Sequence, residues 1–300
     1  MVDECSHPVQ GLLAVARAAA RAGAETLQRR PGPLTPLRAD QLGAENKTST
    51  SDWVTDYDRG AEHAVRSVII AYRPHDEITG EEYDQHVPES PSGYRWSIDP
   101  LDGTTNFIRG IPHYATSVAV GYHADEGRAV QWLAGVVHAP ALGCTWYAAR
   151  GAGAYLVREA DVPAGEAGQH PEPLRLSGPA SQQQGRLLGT GFSYDRQRRP
   201  YQIEAANRLM EHEGFADIRR LGSAAIDLCL VAQGTLDAYA EYGLSEYDWA
   251  AGALIGEEAG LSVRRPRWSN GVETGDWCLL GELGPTGNSL GLEPGHRCHY

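Results

Sequence analysis

The segment YRWSIDPLDGTTNF, residues 94–107, restricts this chain more than any other stretch. YRWSI reads as a strand. Pro100 then confines Asp99 to extended backbone and fixes its own φ, so Asp99 and Asp102 are expected on one rim of a turn, with the Leu101 carbonyl between them. Gly103 permits backbone conformations that other residues resist. A helix or turn starting there aims the amides of Gly103, Thr104 and Thr105 outward, where local dipoles favour a phosphate oxygen. The bland alternative is a tight surface turn, since Asp, Pro and Gly are the usual turn formers.

The flanking pattern argues against a turn alone. TGEEYD upstream offers Glu81 and Glu82, and SEYDWAAGALIGEEAG downstream offers Asp248 at a predicted helix start. A helix-start aspartate by itself is more often a cap than a ligand. Acidic groups from three separated stretches, each at a break between predicted elements, suit magnesium or manganese, hard cations that prefer oxygen ligands.

Around these stretches the apolar periodicity changes character. Leu12, Leu13, Ala16, Ala19, Ala20, Gly23 and Leu27 recur at helical spacing and predict a helix over 11–30, stopped by RPGP. A second helix is expected after VTDYD, where Thr55 and Asp58 have capping-box spacing and Ala61, Val65, Val68 and Ile69 share a face, ending near Pro74. YATSVAVGY, WLAGVVH, CTWYAA and GAYLV then read as strands of an antiparallel sheet, joined by ADEGR and RGAG. The stretch from Asp161 to Pro173 has no period and serves as a junction. Beyond it the elements alternate: strand LLGTGF, helices near 201–212 and 223–233, strand LDAYAEY, a helix near 248–258 and strand LSVRR. This order predicts an α+β domain over 1–160 followed by an α/β domain over 161–300. The last thirty residues offer one short strand.

The net charge of -13 opposes a nucleic-acid backbone or an anionic membrane surface as partner. No apolar run approaches the roughly 18 residues of a membrane span, and MVDECSHPVQ lacks the layout of a signal peptide, so a cytoplasmic protein is expected. Cys5, Cys144, Cys229, Cys278 and Cys298 show no CxxC spacing, which argues against a disulfide framework or a structural zinc. His113, His123 and His138 form no compact ligand motif and read as strand or loop residues. Trp96 and Trp249 are expected to pack behind the acids.

TGEE, WSIDPLDGTTNF and EYDWAAGALIGEEAG resemble the signatures of the inositol monophosphatase family of magnesium-dependent, lithium-sensitive phosphatases. KTSTSDWVTDYD and RRLGSAAIDLCLVAQGTLDAYAEY are similar to its connecting segments, so the resemblance runs from about Lys47 to Gly260. It implies a layered αβαβα sandwich of the inositol monophosphatase and sugar phosphatase type, and a homodimer. It implies that Glu81, Asp99 and the Leu101 carbonyl hold one Mg2+ and that Asp99, Asp102 and Asp248 hold a second, with Glu81 contributing to a third; Mn2+ is a possible substitute. Thr104, supported by Asp58, matches the residue that positions the attacking water with Glu81, and Lys47 matches a lysine near the ions. Ser223, Ala224 and Glu241 fall where the family contacts the alcohol part of its substrate. Two departures stand out. Tyr247 precedes Asp248 where the family often has tryptophan, and GPTGNSLGLEPG replaces the usual final strand and short helix.

The expected activity is hydrolysis of a small phosphorylated polyol, inositol 1-phosphate first, with histidinol phosphate, sugar phosphates and nucleotide 3'-phosphates as alternatives. The rival from another class is a non-catalytic protein that binds metal and phosphate.

Overall fold

The computed structural model describes residues 9–290, apart from 33, 47–52, 124–129, 160–171, 181–183, 194–195, 267, 270–271 and 274–275. Helix α1 (Val9–Leu27) starts and stops slightly earlier than its periodicity predicts. A two-residue hairpin, β1 (Glu45–Asn46) with β2 (Trp53–Val54), leads into α2 (Asp56–Tyr72). The expected capping box is present: the Thr55 hydroxyl accepts from the Tyr57 and Asp58 amides, and Asp58 accepts from the Thr55 amide at 2.7 Å.

Strands β3 (Glu77–Gly80), β4 (Tyr94–Asp102), β5 (Ala115–Tyr122), β6 (Gln131–Ala139), β7 (Cys144–Ala149), β8 (Gly153–Arg158) and β9 (Leu174–Arg175) form one seven-stranded sheet in sequential order. All its pairs are antiparallel except β3 with β4. The four strands read as an antiparallel sheet pair that way, and β3 adds a parallel edge that the reading did not include. ITG is too short to declare its partner, and it pairs in parallel because the connection over 81–93 brings the chain back to the end of the sheet where β3 began. The short helix α3 (Thr104–Arg109) joins β4 to β5.

Strand β10 (Leu187–Thr190), helix α4 (Arg199–Glu213), β11 (Asp217–Arg219), helix α5 (Ala224–Gln233), β12 (Ala238–Tyr242), helix α6 (Glu246–Glu258), β13 (Val263–Arg264) and β16 (Trp277–Gly281) follow, with β14 (Trp268–Ser269) and β15 (Val272–Glu273) as a separate hairpin. The second sheet runs β11-β10-β12-β16-β13, with the first three strands parallel. The chain then forms a helix, α7 (Gly284–Ser289). The one short strand offered by the last thirty residues is thus followed by the short helix that GPTGNSLGLEPG was expected to replace. Leu283 and Leu290 are buried on either side of α7, and Glu213 accepts from the Thr286 amide at 2.7 Å. Tertiary contacts overcome the poor helix propensity of GPTGNS.

The two-residue alternation of the strands sorts side chains among the cores. Val118 and Val120 face α1 and α2, joining Leu12, Ala16, Val65 and Ile69. Ala115 and Ala119 face the other way, towards Leu228, Trp249 and Leu254 of α5 and α6. That middle core also takes Tyr239, Cys278 and Leu280 from the second sheet, whereas Ala238, Ala240 and Leu279 point outward to Leu209 of α4 and to Leu283 beside α7. The layers are helix, sheet, helix, sheet, helix, as expected. No helix among the described residues is long and apolar enough to cross a membrane.

Candidate active site

Residues three apart on a regular strand project from opposite faces. Asp99 and Asp102 do not sit on a regular strand. Asp99 pairs with Ser117 and Asp102 with Ala115, so β4 spends three residues where β5 spends two. This is a β-bulge, the device by which strands re-aim a side chain beside a site. It falls at Pro100, which has no amide to lose from the ladder, and Thr116 Oγ1 donates to the Pro100 carbonyl at 2.9 Å. The expected turn is therefore a bulged strand end, and both aspartates reach the same cavity.

That cavity, about 980 Å³, is walled by Glu81, Asp99, Leu101, Asp102 and Asp248 on one side. Gly103, Thr104, Thr105, Ser223, Ala224 and Glu241 also line it. Gly103 has φ +100°, and a Cβ there would stand 2.9 Å from the His113 carbonyl, so the close approach of the two loops requires glycine. Glu82, by contrast, does not reach the cavity.

Asp58 lies at the buried start of α2 and touches Thr104 from below. Thr104 Oγ1 lies 3.0 Å from Asp58 Oδ1 and 3.2 Å from the Leu101 carbonyl, so its one proton is taken up by these acceptors and its lone pairs are left to accept. Burial pushes the Asp58 carboxyl up to about 7 despite its hydrogen bonds to Thr55. Asp102 Oδ2 accepts from Ser223 Oγ and from the Ala225 amide, both at 2.7 Å. The Ser223 hydroxyl thus holds Asp102 across the start of α5, and burial still raises Asp102 to about 6. Asp248, third residue of α6, accepts from the Ser245 amide at 2.6 Å. Asp99 accepts from the Leu101 amide at 3.0 Å. Burial first, then mutual repulsion among Glu81, Asp99, Asp102 and Asp248, holds Asp99 and Asp248 well above the usual carboxylate range. Glu241, hydrogen-bonded by the Tyr239 hydroxyl, is raised by burial to about 7.

Sequence reasoning missed Asp227, Arg199 and Arg220, which line the same cavity. Asp227 is a buried partner of His113, 2.9 Å from its Nε2. Its place one helical turn after Ser223 was the available signal. Trp249 packs edge-on against Trp132, and Trp96 donates to Asp76 at 2.9 Å, so both are core residues behind the acids. Tyr247 takes part in the cavity wall itself. Lys47 lies outside the described residues.

Several buried carboxylates with raised proton affinity, beside Leu101 in the same wall, offer the oxygen donors a hard divalent cation requires. Among the described residues no three acidic, thiol or imidazole groups already close around one point. The acids border a shared space, and a cation there would relieve the repulsion that raises Asp99 and Asp248. The residues present fit the group.

The layered fold and this carboxylate-rimmed cavity define a phosphomonoesterase, and sequence comparison agrees. The inositol monophosphatase family matches residues 9–281, and the chain belongs to it. It is 41% identical over 220 residues to the inositol-1-monophosphatase of Mycobacterium bovis, covering 72% of this chain and 70% of that protein. It is 38% identical over 259 residues to the Nus factor SuhB of Pseudomonas aeruginosa, covering 84% of each. The crystal structure of extragenic suppressor protein suhB from Bartonella henselae superposes with a TM-score of 0.73 at 28% identity, over 90% of this chain and 93% of that one.

Proposed function

We propose that this phosphomonoesterase is Mg2+-dependent and acts on a small phosphorylated polyol, with inositol 1-phosphate first among candidates. The observation that carries the reading is the bulge in β4, which turns Asp99 and Asp102 towards Glu81 and Asp248. Glu81, Asp99, the Leu101 carbonyl, Asp102 and Asp248 would hold the metal. When bound, magnesium supplies Lewis acidity to the phosphoryl group and acidifies a water.

The chain's own groups do the rest. Asp58 fixes the Thr104 hydroxyl as a donor, so Thr104 is left to accept from the attacking water while Glu81 takes its proton. The amides of Gly103, Thr104 and Thr105 receive phosphoryl oxygens. Ala224 and Glu241 border the alcohol side, with Ser223 acting through Asp102, and Lys47 is assigned near the ions by resemblance. The same reading includes a two-domain division at 160/161, a homodimer and a cytoplasmic location.

Asp99→Asn tests it: phosphate release with Mg2+ should fall at least about 10²-fold with the fold retained. Near-normal turnover would remove the scheme. A panel of inositol, histidinol, sugar and nucleotide 3'-phosphates, compared by kcat/KM and by lithium inhibition, identifies the substrate. A second reading, that the chain also has a role like that named for the relative Nus factor SuhB, predicts a function that survives Asp99→Asn while phosphate release is lost.

A further inference from the structure

Helix α2 carries two buried acids one turn apart on one face, Asp58 and Glu62, and both have no exposed surface. Asp58 grips Thr104. Glu62 lies one turn further along α2, and an unpaired buried carboxylate would cost several kcal/mol, so its partners have to account for it. Its Oε2 accepts from the Glu82 amide at 2.7 Å, and its Oε1 accepts from the Tyr83 amide at 3.2 Å and from Arg66 Nε at 2.8 Å. Arg66 completes the clasp from the same helix, donating through Nη2 to the Tyr83 carbonyl at 3.1 Å. Gly80 lets the strand pass this carboxylate: a Cβ there would lie 2.6 Å from Glu62 Cδ.

The gripped residues, Glu82 and Tyr83, follow directly on Glu81, and Gly80 on its other side runs against the same carboxylate. From this we infer that Glu62, supported by Arg66, is a positioning residue that fixes Glu81 relative to Thr104, with α2 as the common template. One rigid helix holds the two loops whose side chains orient the water and the metal. The spacing between Glu81 and Thr104 is therefore set by the distance between Asp58 and Glu62, one turn of helix. A charge alone at position 62 would not need two backbone amides, and a purely structural ion pair with Arg66 would not need to reach residues 82 and 83. This inference rests on the proposed role of Glu81.

The test is Glu62→Gln in the full chain. The amide side chain keeps the shape but presents hydrogen where one of the two backbone amides must donate, so one of them loses its acceptor. Hydrogen exchange on the metal-free protein is expected to show lost protection at the Glu82 and Tyr83 amides with unchanged protection in α1. Calorimetric titration with Mn2+ alone is expected to show affinity weakened by about 10- to 100-fold, the usual effect of removing a group that orients a ligand. Turnover at saturating Mg2+ should recover towards wild type, because Glu81 itself remains. If Glu62→Gln does not fold, Arg66→Gln, which removes only the outer half of the clasp, is expected to move both readouts in the same direction. Retained protection at 82 and 83, or wild-type Mn2+ affinity, in the folded variant overturns the inference. If wild type itself binds no Mn2+ while the variant loses protection, the clasp stands and the metal role of Glu81 falls.

Discussion

Gly252 sits inside α6 where that helix crosses α5, and replacing it with alanine sets two opposing effects against each other. Alanine in place of glycine in a helix interior ordinarily stabilises by about 1 kcal/mol. Here the added Cβ would stand 2.7 Å from Leu228 Cβ and 2.9 Å from Leu228 Cδ1, with the Ala225 carbonyl at 3.3 Å. Carbon pairs settle at about 3.5–4.0 Å, so the helices must part by somewhat under ~1 Å. Such overpacking costs about 1–3 kcal/mol, which leaves a net destabilisation of about 1 kcal/mol. The effect on chemistry is larger. Helix α6 brings Asp248, and the start of α5 holds Asp102 through Ser223 and Ala225, so separating the two helices moves two proposed ligands apart. A misplacement of ~1 Å is worth about 10²-fold in rate. Urea denaturation and Mg2+-dependent phosphate release, measured on Gly252→Ala, should show a small loss of stability with a large loss of kcat. Gly11→Ala is the control, because nothing lies within 4 Å of a Cβ at that exposed helical site; it should gain up to about 1 kcal/mol with full activity. Gly252→Ala with kcat/KM within threefold of wild type would refute the coupling between helix spacing and the site.

Two further expectations concern pH, with opposite signs. In chelator, Asp99, Asp102 and Asp248 bind protons more tightly folded than unfolded, so stability should fall as pH rises from about 4 through their raised values. Thermal melts in EDTA between pH 5 and 8 should slope downward, less steeply in Asp99→Asn, and added Mg2+ should reverse the slope; a flat wild-type profile would contradict the crowding of acids. His138 behaves the other way. Burial lowers it to about 4, and it lies 3.0 Å from the Thr145 hydroxyl, so its contribution is complete above about pH 6.5 and is lost as pH falls towards 4. Between pH 7 and 5 that loss is about 2 kcal/mol, at about 1.36 kcal/mol for each pH unit below 6.5; urea midpoints of wild type and His138→Gln with the same pH dependence would rule it out.

The parts legible in the sequence were those determined by local chemistry. The Thr55–Asp58 box, the period of α1 and the alternation in β5 to β8 each depend on neighbours within a few residues. The acids were legible for the same reason, since IDPLDG and SEYD are unusual at short range. What escaped depended on remote contacts. A bulge and a turn at Pro100 have the same composition, and only pairing with Ser117 and Ala115 distinguishes them. Glu62 reads as one more polar residue on an amphipathic helix until the amides of residues 82 and 83 arrive beside it. Helix α7 was hidden by glycine and proline whose cost is met by Leu283, Leu290 and Glu213.

The middle helical layer has a further consequence for how the molecule meets its surroundings. With a sheet on either side, α6 is buried along Trp249–Gly256 and opens only at its two ends. A solute approaching from outside can therefore touch this helix at its tips alone, and one tip bears Asp248. A helix sheltered along its middle thus presents, at the end that meets the cavity, one of the acids that border it.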